Sequence, residues 1–133
     1  MIENVERTLF TVMASLGTWL LGSFDQALLI LLSLSIIDYF AGISKAFINK
    51  DLSSSQSYKG IIKKLGIFVA VSVAYLIDQI IGTDSTLRVM SVYWFAFMEA
   101  ISILENLQAC GVILPDFLIL RLRQAKDNLE EEK

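Results

Sequence analysis

Four long apolar segments set the pattern of this chain, each close to the length that crosses a bilayer. Spanning the hydrocarbon core takes about 20 mostly apolar residues. The first segment, residues 8–24, carries no charge and ends at Gly22-Ser23. The second, residues 26–44, holds the run Ala27 to Leu32 and one acid, Asp38. The third, residues 65–82, holds Asp78, and the fourth, residues 89–107, holds Glu99 with Glu105 near its end. Ser15, Gly17, Thr18 and Gly22 dilute the first segment, which either spans or lies flat in the interface. The pattern predicts an all-α integral membrane protein, a single domain with three to four transmembrane helices.

The polar stretches set the expected orientation. Residues 45–64 read as a loop that gathers Lys45, Lys50, Lys59, Lys63 and Lys64 against Asp51 alone. Short loops rich in Lys and Arg stay in the cytoplasm. The link 83–88 then lies outside with Arg88, and Arg121, Arg123, Lys126 and Lys133 fall inside. If the first segment spans, Arg7 is inside too, both termini are cytoplasmic, and ten of the eleven basic residues share one side. Such a bias argues against a dual-topology transporter. After the fourth segment, Gly111 to Pro115 breaks the helix. Residues 111–133 read as a cytoplasmic segment, with 116–126 either a short amphipathic interfacial helix or a continuation of the last span.

Composition supports the same class. Apolar residues make up 55% of the 133, charged residues only 19%, and mean hydropathy is +0.61, so the chain has too little charge for a soluble domain of its size. Glu3 and Glu6 against Arg7 make a poor signal-peptide start, so an uncleaved first helix is expected. Histidine is absent and Cys110 is alone, which removes the usual general base and any internal disulfide. No basic patch interleaved with aromatics suggests nucleic acid. No metal-ligand spacing, nucleophile elbow, phosphate-cradling glycine loop or paired-cysteine motif is present, so neither cofactor nor enzymatic activity is expected.

The acids inside the spans are the costly feature. An acidic residue at a helix centre costs about 2.5–3.5 kcal/mol on the insertion scale. Asp38, Asp78, Glu99 and Glu105 should therefore face helices or water. Glu99, Ser102, Glu105 and Asn106 are expected to form one polar stripe, and Asp38, Gly42 and Lys45 to share a face. Either stripe could be a wet or oligomer-forming surface, or could simply be satisfied within the chain. Small residues at four-residue spacing (Gly42 with Ala46; Gly66 with Ala70 and Ala74; Ala96 with Ala100) would let helices approach closely.

Three stretches together resemble the toxin-secretion and phage-lysis holin family. They are Asp38 to Ala46, with Gly42 and Lys45; Lys59-Gly60 to Lys63-Lys64, preceded by Ser53-Ser54; and Glu99 to Leu107, with Ser102, Glu105 and Asn106, followed by Gly111 and Pro115. The resemblance covers roughly residues 36 to 122. It implies a multi-pass protein of the bacterial inner membrane that oligomerises and opens lesions, releasing an endolysin or a toxin. It implies an antiholin as a further partner and supplies no catalytic, cofactor or metal residues. A small channel or transporter subunit, an antiholin of the same fold and a membrane scaffold are the alternative readings.

Overall fold

A computed structural model describes residues 1–132 as five α-helices: α1 (Ile2–Leu21), α2 (Gln26–Ile48), α3 (Ser54–Ile81), α4 (Thr86–Ala109) and α5 (Asp116–Glu131). Local chemistry sets the boundaries. The Asp25 side chain accepts from the Leu28 N–H at 3.0 Å and starts α2, and Ser53 accepts from the Gln56 N–H at 3.2 Å and starts α3. Gly82, at φ 82°, takes the left-handed conformation that ends α3.

Three helices, α2, α3 and α4, are long and apolar enough to cross a membrane. The first segment is helical but is not among them, so the described residues hold three such helices. Every residue of α1 up to Leu16 is exposed, and only its C-terminal end reaches the bundle, where Leu21 packs against the core. The expected loop over 45–64 is largely helix instead. α2 continues to Ile48 and α3 begins at Ser54, so the connector shrinks to residues 49–53. Serines 53 to 55 and 57 read as loop by composition. Yet Ser53 is an N-cap, and a cap followed by an apolar run marks a helix start. Lys133 lies outside the described residues.

α2 and α4 run in the same direction with α3 antiparallel to both. The core lies between them and consists of Leu28, Leu31, Ile67, Val71 and Val92. α4 is the hub, packed on α2, α3 and α5, whereas α2 and α3 touch each other sparingly. In lipid no hydrophobic force draws helices together, so close packing and polar contacts must hold such a bundle.

Candidate functional site

Polar side chains concentrate at three places along the bundle. The first is a buried ion cluster to which each of the three long helices contributes one member. Lys64 of α3 donates to Asp38 of α2 and to Glu99 of α4. Asp38 accepts a further bond from Asn106 Nδ2 at 3.2 Å through its other carboxylate oxygen. Lys64, Ile67, Val71 and Asp78 recur at spacings of three, four and seven, so one face of α3 looks into the bundle throughout. The cluster explains how α2 and α3 can tolerate a sparse interface, because the ammonium bridges the gap. Ser35, one turn before Asp38, is buried, and its hydroxyl has no hydrogen-bond partner among the described residues.

Below the cluster, a cavity of about 200 Å³ opens between the ends of α2 and α3, lined by Asp38, Gly42, Gly60, Lys63, Lys64 and Asn106 among others. Two glycines make the room. A Cβ on Gly60 would stand 3.3 Å from the Tyr39 ring, and one on Gly42 would meet Asn106 at 3.8 Å. The Tyr39 hydroxyl donates to the Ser57 carbonyl oxygen at 3.4 Å, which ties α2 to the first turn of α3.

The second centre lies at the opposite end and is a clip. Asp78 accepts from the Leu87 and Arg88 N–H groups at 2.9 and 2.8 Å and from the Thr83 hydroxyl at 2.6 Å. It therefore caps α4 from the end of α3, satisfying donors that a helix start leaves open. The buried Arg88 guanidinium donates to Asp25 at 2.9 Å, to the Ser23 carbonyl at 2.7 Å and to the Leu21 carbonyl. The Asp25 carboxyl is held below its usual range, chiefly by its hydrogen bond from Arg88. Gly22 is required here, since its φ is +81° and a Cβ would come within 2.7 Å of Arg88 Nε.

The third place is the α4–α5 contact. Arg123 donates to Glu105 at 2.6 Å, and Lys126 Nζ lies 5.2 Å from the Trp94 ring centre. Ile119, Leu122, Ala125 and Leu129 are half-buried and share one face of α5.

The sequence-predicted residues therefore divide. Asp38, Lys64, Glu99 and Asn106 meet in one cluster, with Gly42 and Gly60 beside it. Asp78 serves the clip, satisfied within the chain. Glu105 leaves the expected stripe, because six residues turn it about 120° away from Glu99, and it faces α5 instead. Ser102 is half-buried, and Lys45 is exposed rather than part of a face with Asp38. Lys64, assigned to the polar loop by its neighbours Lys59 and Lys63, sits eleven residues into α3 and inside the bundle. Arg88 and Asp25 went unrecognised in sequence. The available signal was a lone arginine opening the fourth apolar run and a cap-type Asp preceding the second. Of the small-residue faces, Gly66 has open space where a Cβ would point and Ala70 is exposed, so neither packs within the chain.

Among the described residues, no group of three metal-ligating side chains is found. The arrangement pairs charges across helices.

A family model described as the bacteriophage holin family matches residues 15–127, which takes in α2, α3 and α4 whole. An uncharacterized protein of Clostridium perfringens (strain 13 / Type A) is 35% identical over 121 residues, covering 89% of this chain and 90% of the relative. An uncharacterized protein of Listeria innocua is 35% identical over 117 residues, covering 86% and 84%. Another Clostridium perfringens relative, an uncharacterized 14.9 kDa protein in the nagH 3′ region, is 34% identical over 136 residues, covering 99% and 100%. No solved structure matches.

Proposed function

The chain belongs to the bacteriophage holin family, and from that premise we propose that it assembles in the cytoplasmic membrane of a bacterium and opens lesions there. The observation that carries this reading is the family match across all three long apolar helices. The lesion would let an endolysin, or a toxin, leave the cell. The reading is non-enzymatic and needs no cofactor.

Physical features support it. The charged groups inside the bundle pair with one another across the three long helices. Large apolar side chains of α1 (Phe10, Met13, Trp19) and the small-residue face at Gly66 and Ala70 remain open to lipid or to other copies. Lys45, Lys50, Lys59 and Lys63 mark the end of the bundle next to residues 49–53, and this excess of basic residues supports a cytoplasmic location for that end.

Inducible expression in a bacterium tests the reading, with membrane potential, viability and release of a co-expressed endolysin followed together. Abrupt depolarisation with endolysin release is expected. Delay of lysis when the chain is co-expressed with a known lesion-former, with no lesion of its own, would assign it to the antiholin class instead. Growth and potential unchanged in both settings would overturn the reading.

A further inference from the structure

α5 occupies a place that a plain lipid environment does not allow. It folds back along α4 after the turn at Gly111, whose φ is +95°, and Pro115. Trp94 lies fifteen residues, about 22 Å, up α4 from Ala109, and Lys126 reaches its ring. Trp94 is also eight residues, about 12 Å, from the other end of the helix, so it sits at hydrocarbon depth when α4 crosses the membrane. α5 therefore carries Arg121, Arg123, Lys126, Asp127, Glu130 and Glu131 alongside a spanning helix.

Of these, among the described residues, Arg123 has an ion-pair partner, Glu105, and Lys126 lies over the Trp94 ring. The Glu105–Arg123 bridge leaves both side chains more than half exposed, at 53% and 54%. Gln124, Asp127 and Asn128 look outward from α5. Lipid tails cannot solvate such a face, and charged side chains at membrane depth otherwise turn to protein or to a water-filled cavity. The inner face of α5 is apolar and seated on α4, and the outward residues of its first turns, Phe117, Leu118 and Leu120, are apolar too, so the polar outer face begins at Arg121.

We propose that the outer face of the α4–α5 hairpin is bathed by water within the assembled membrane form, so that α5 forms part of the lesion wall. This deepens the holin reading and rests on it for the word lesion. Glu105 then differs from Glu99 in surroundings: it pairs with Arg123 on the exposed side of the hairpin, while Glu99 is buried in the cluster with Lys64.

Full-length chain in vesicles tests this, in a Cys110→Ser background. Glu105→Cys with Arg123→Cys removes only an exposed ion pair, which contributes little, and leaves the apolar face of α5 in place. A short bis-thiosulfonate crosslinker should join the two positions within one chain. Separately, Asn128→Cys should react with a charged thiol reagent about as fast as Lys50→Cys in the solvent-exposed turn. Crosslinked vesicles should also release trapped dye as uncrosslinked ones do. Loss of the crosslink would mean that α5 leaves α4 in the membrane, and the proposal fails. A crosslink with Asn128→Cys unreactive would mean that another copy covers this face, and it fails equally. Release blocked by the crosslink and restored by its cleavage would show that α5 must undock to open the lesion, so the docked hairpin is not its wall and the proposal fails. If the parent chain releases no dye, the holin reading fails, while the crosslink and the thiol reactivity still decide whether this hairpin face meets water.

Discussion

Lys64 reaches Asp38 across the gap between α3 and α2, twenty-six residues apart in sequence, and the same ammonium binds Glu99 of α4. One cation thereby links the three helices that are long enough to span. Replacing Lys64 by methionine leaves two carboxylates without their shared partner. Removing one member of a buried ion cluster costs about 3–5 kcal/mol. Denaturant titration in detergent should show a loss of this size for Lys64→Met. It should show much smaller loss for the triple change with Asp38→Asn and Glu99→Gln. A single variant as stable as the parent would remove the cluster from the account of the fold.

The two acids of α4 should respond differently to the same change. Glu99 is 4% exposed and bonded to Lys64, so Glu99→Leu leaves the ammonium half-satisfied and lowers the folded fraction. Glu105 is exposed in its pair with Arg123, and such a surface bridge contributes about 0.2–1 kcal/mol. Glu105→Leu should therefore insert and fold close to the parent. Equal destabilisation of the two variants, measured at matched membrane levels, would contradict their separation.

The clip predicts an acid-side dependence at the α1–α2 junction. The Asp25 carboxyl is held below its usual value of 3.8, first of all by the hydrogen bond from Arg88. A depressed folded-state value means the carboxylate adds stability that is fully present above about pH 4 and is lost as pH falls through the lowered value. Asp25→Asn keeps a good N-cap for α2 but removes the charge. Hydrogen-exchange protection of the amides from Gly22 to Leu28, relative to their intrinsic rates at each pH, should fall below about pH 4 in the parent and show a flatter profile in Asp25→Asn. Identical profiles would mean that Arg88 does not hold this carboxylate.

Two glycines with positive φ differ in both backbone strain and surroundings: Gly82, at ψ 26°, is left-handed helical, whereas Gly22, at ψ −163°, lies in a region open essentially to glycine alone. Gly22 and Gly82 both have φ near +80°, but only Gly22 has Arg88 against its absent side chain. Gly82→Ala should cost about 1–2 kcal/mol, the left-handed penalty alone. Gly22→Ala should cost clearly more and should also release the end of α1, seen as protease cleavage between residues 21 and 25. Equal costs would show that neither the Gly22 backbone nor Arg88 resists a Cβ at this turn.

Membrane class and helical content were legible in the sequence, because lipid allows few solutions and apolar length reports them directly. The cost of intramembrane acids also identified Asp38, Asp78 and Glu99 as residues that needed partners. Local signals carried less. α3 starts at Ser53 because a serine side chain caps it, although the surrounding residues look like a loop. Partner choice was beyond the sequence. Lys64 sits among exposed lysines and differs from Lys59 and Lys63 only in the side of α3 on which it falls, and that matters once α2 and α4 are placed beside it. Arg88 likewise looks like an ordinary residue of a short link until Asp25 and the carbonyls of Leu21 and Ser23 are brought to it by the chain's reversal. Hydropathy is a property of each residue and its near neighbours, so the sequence alone determined which segments leave water. Charge compensation is a property of pairs far apart along the chain, so only the packing of three helices decided which ions meet.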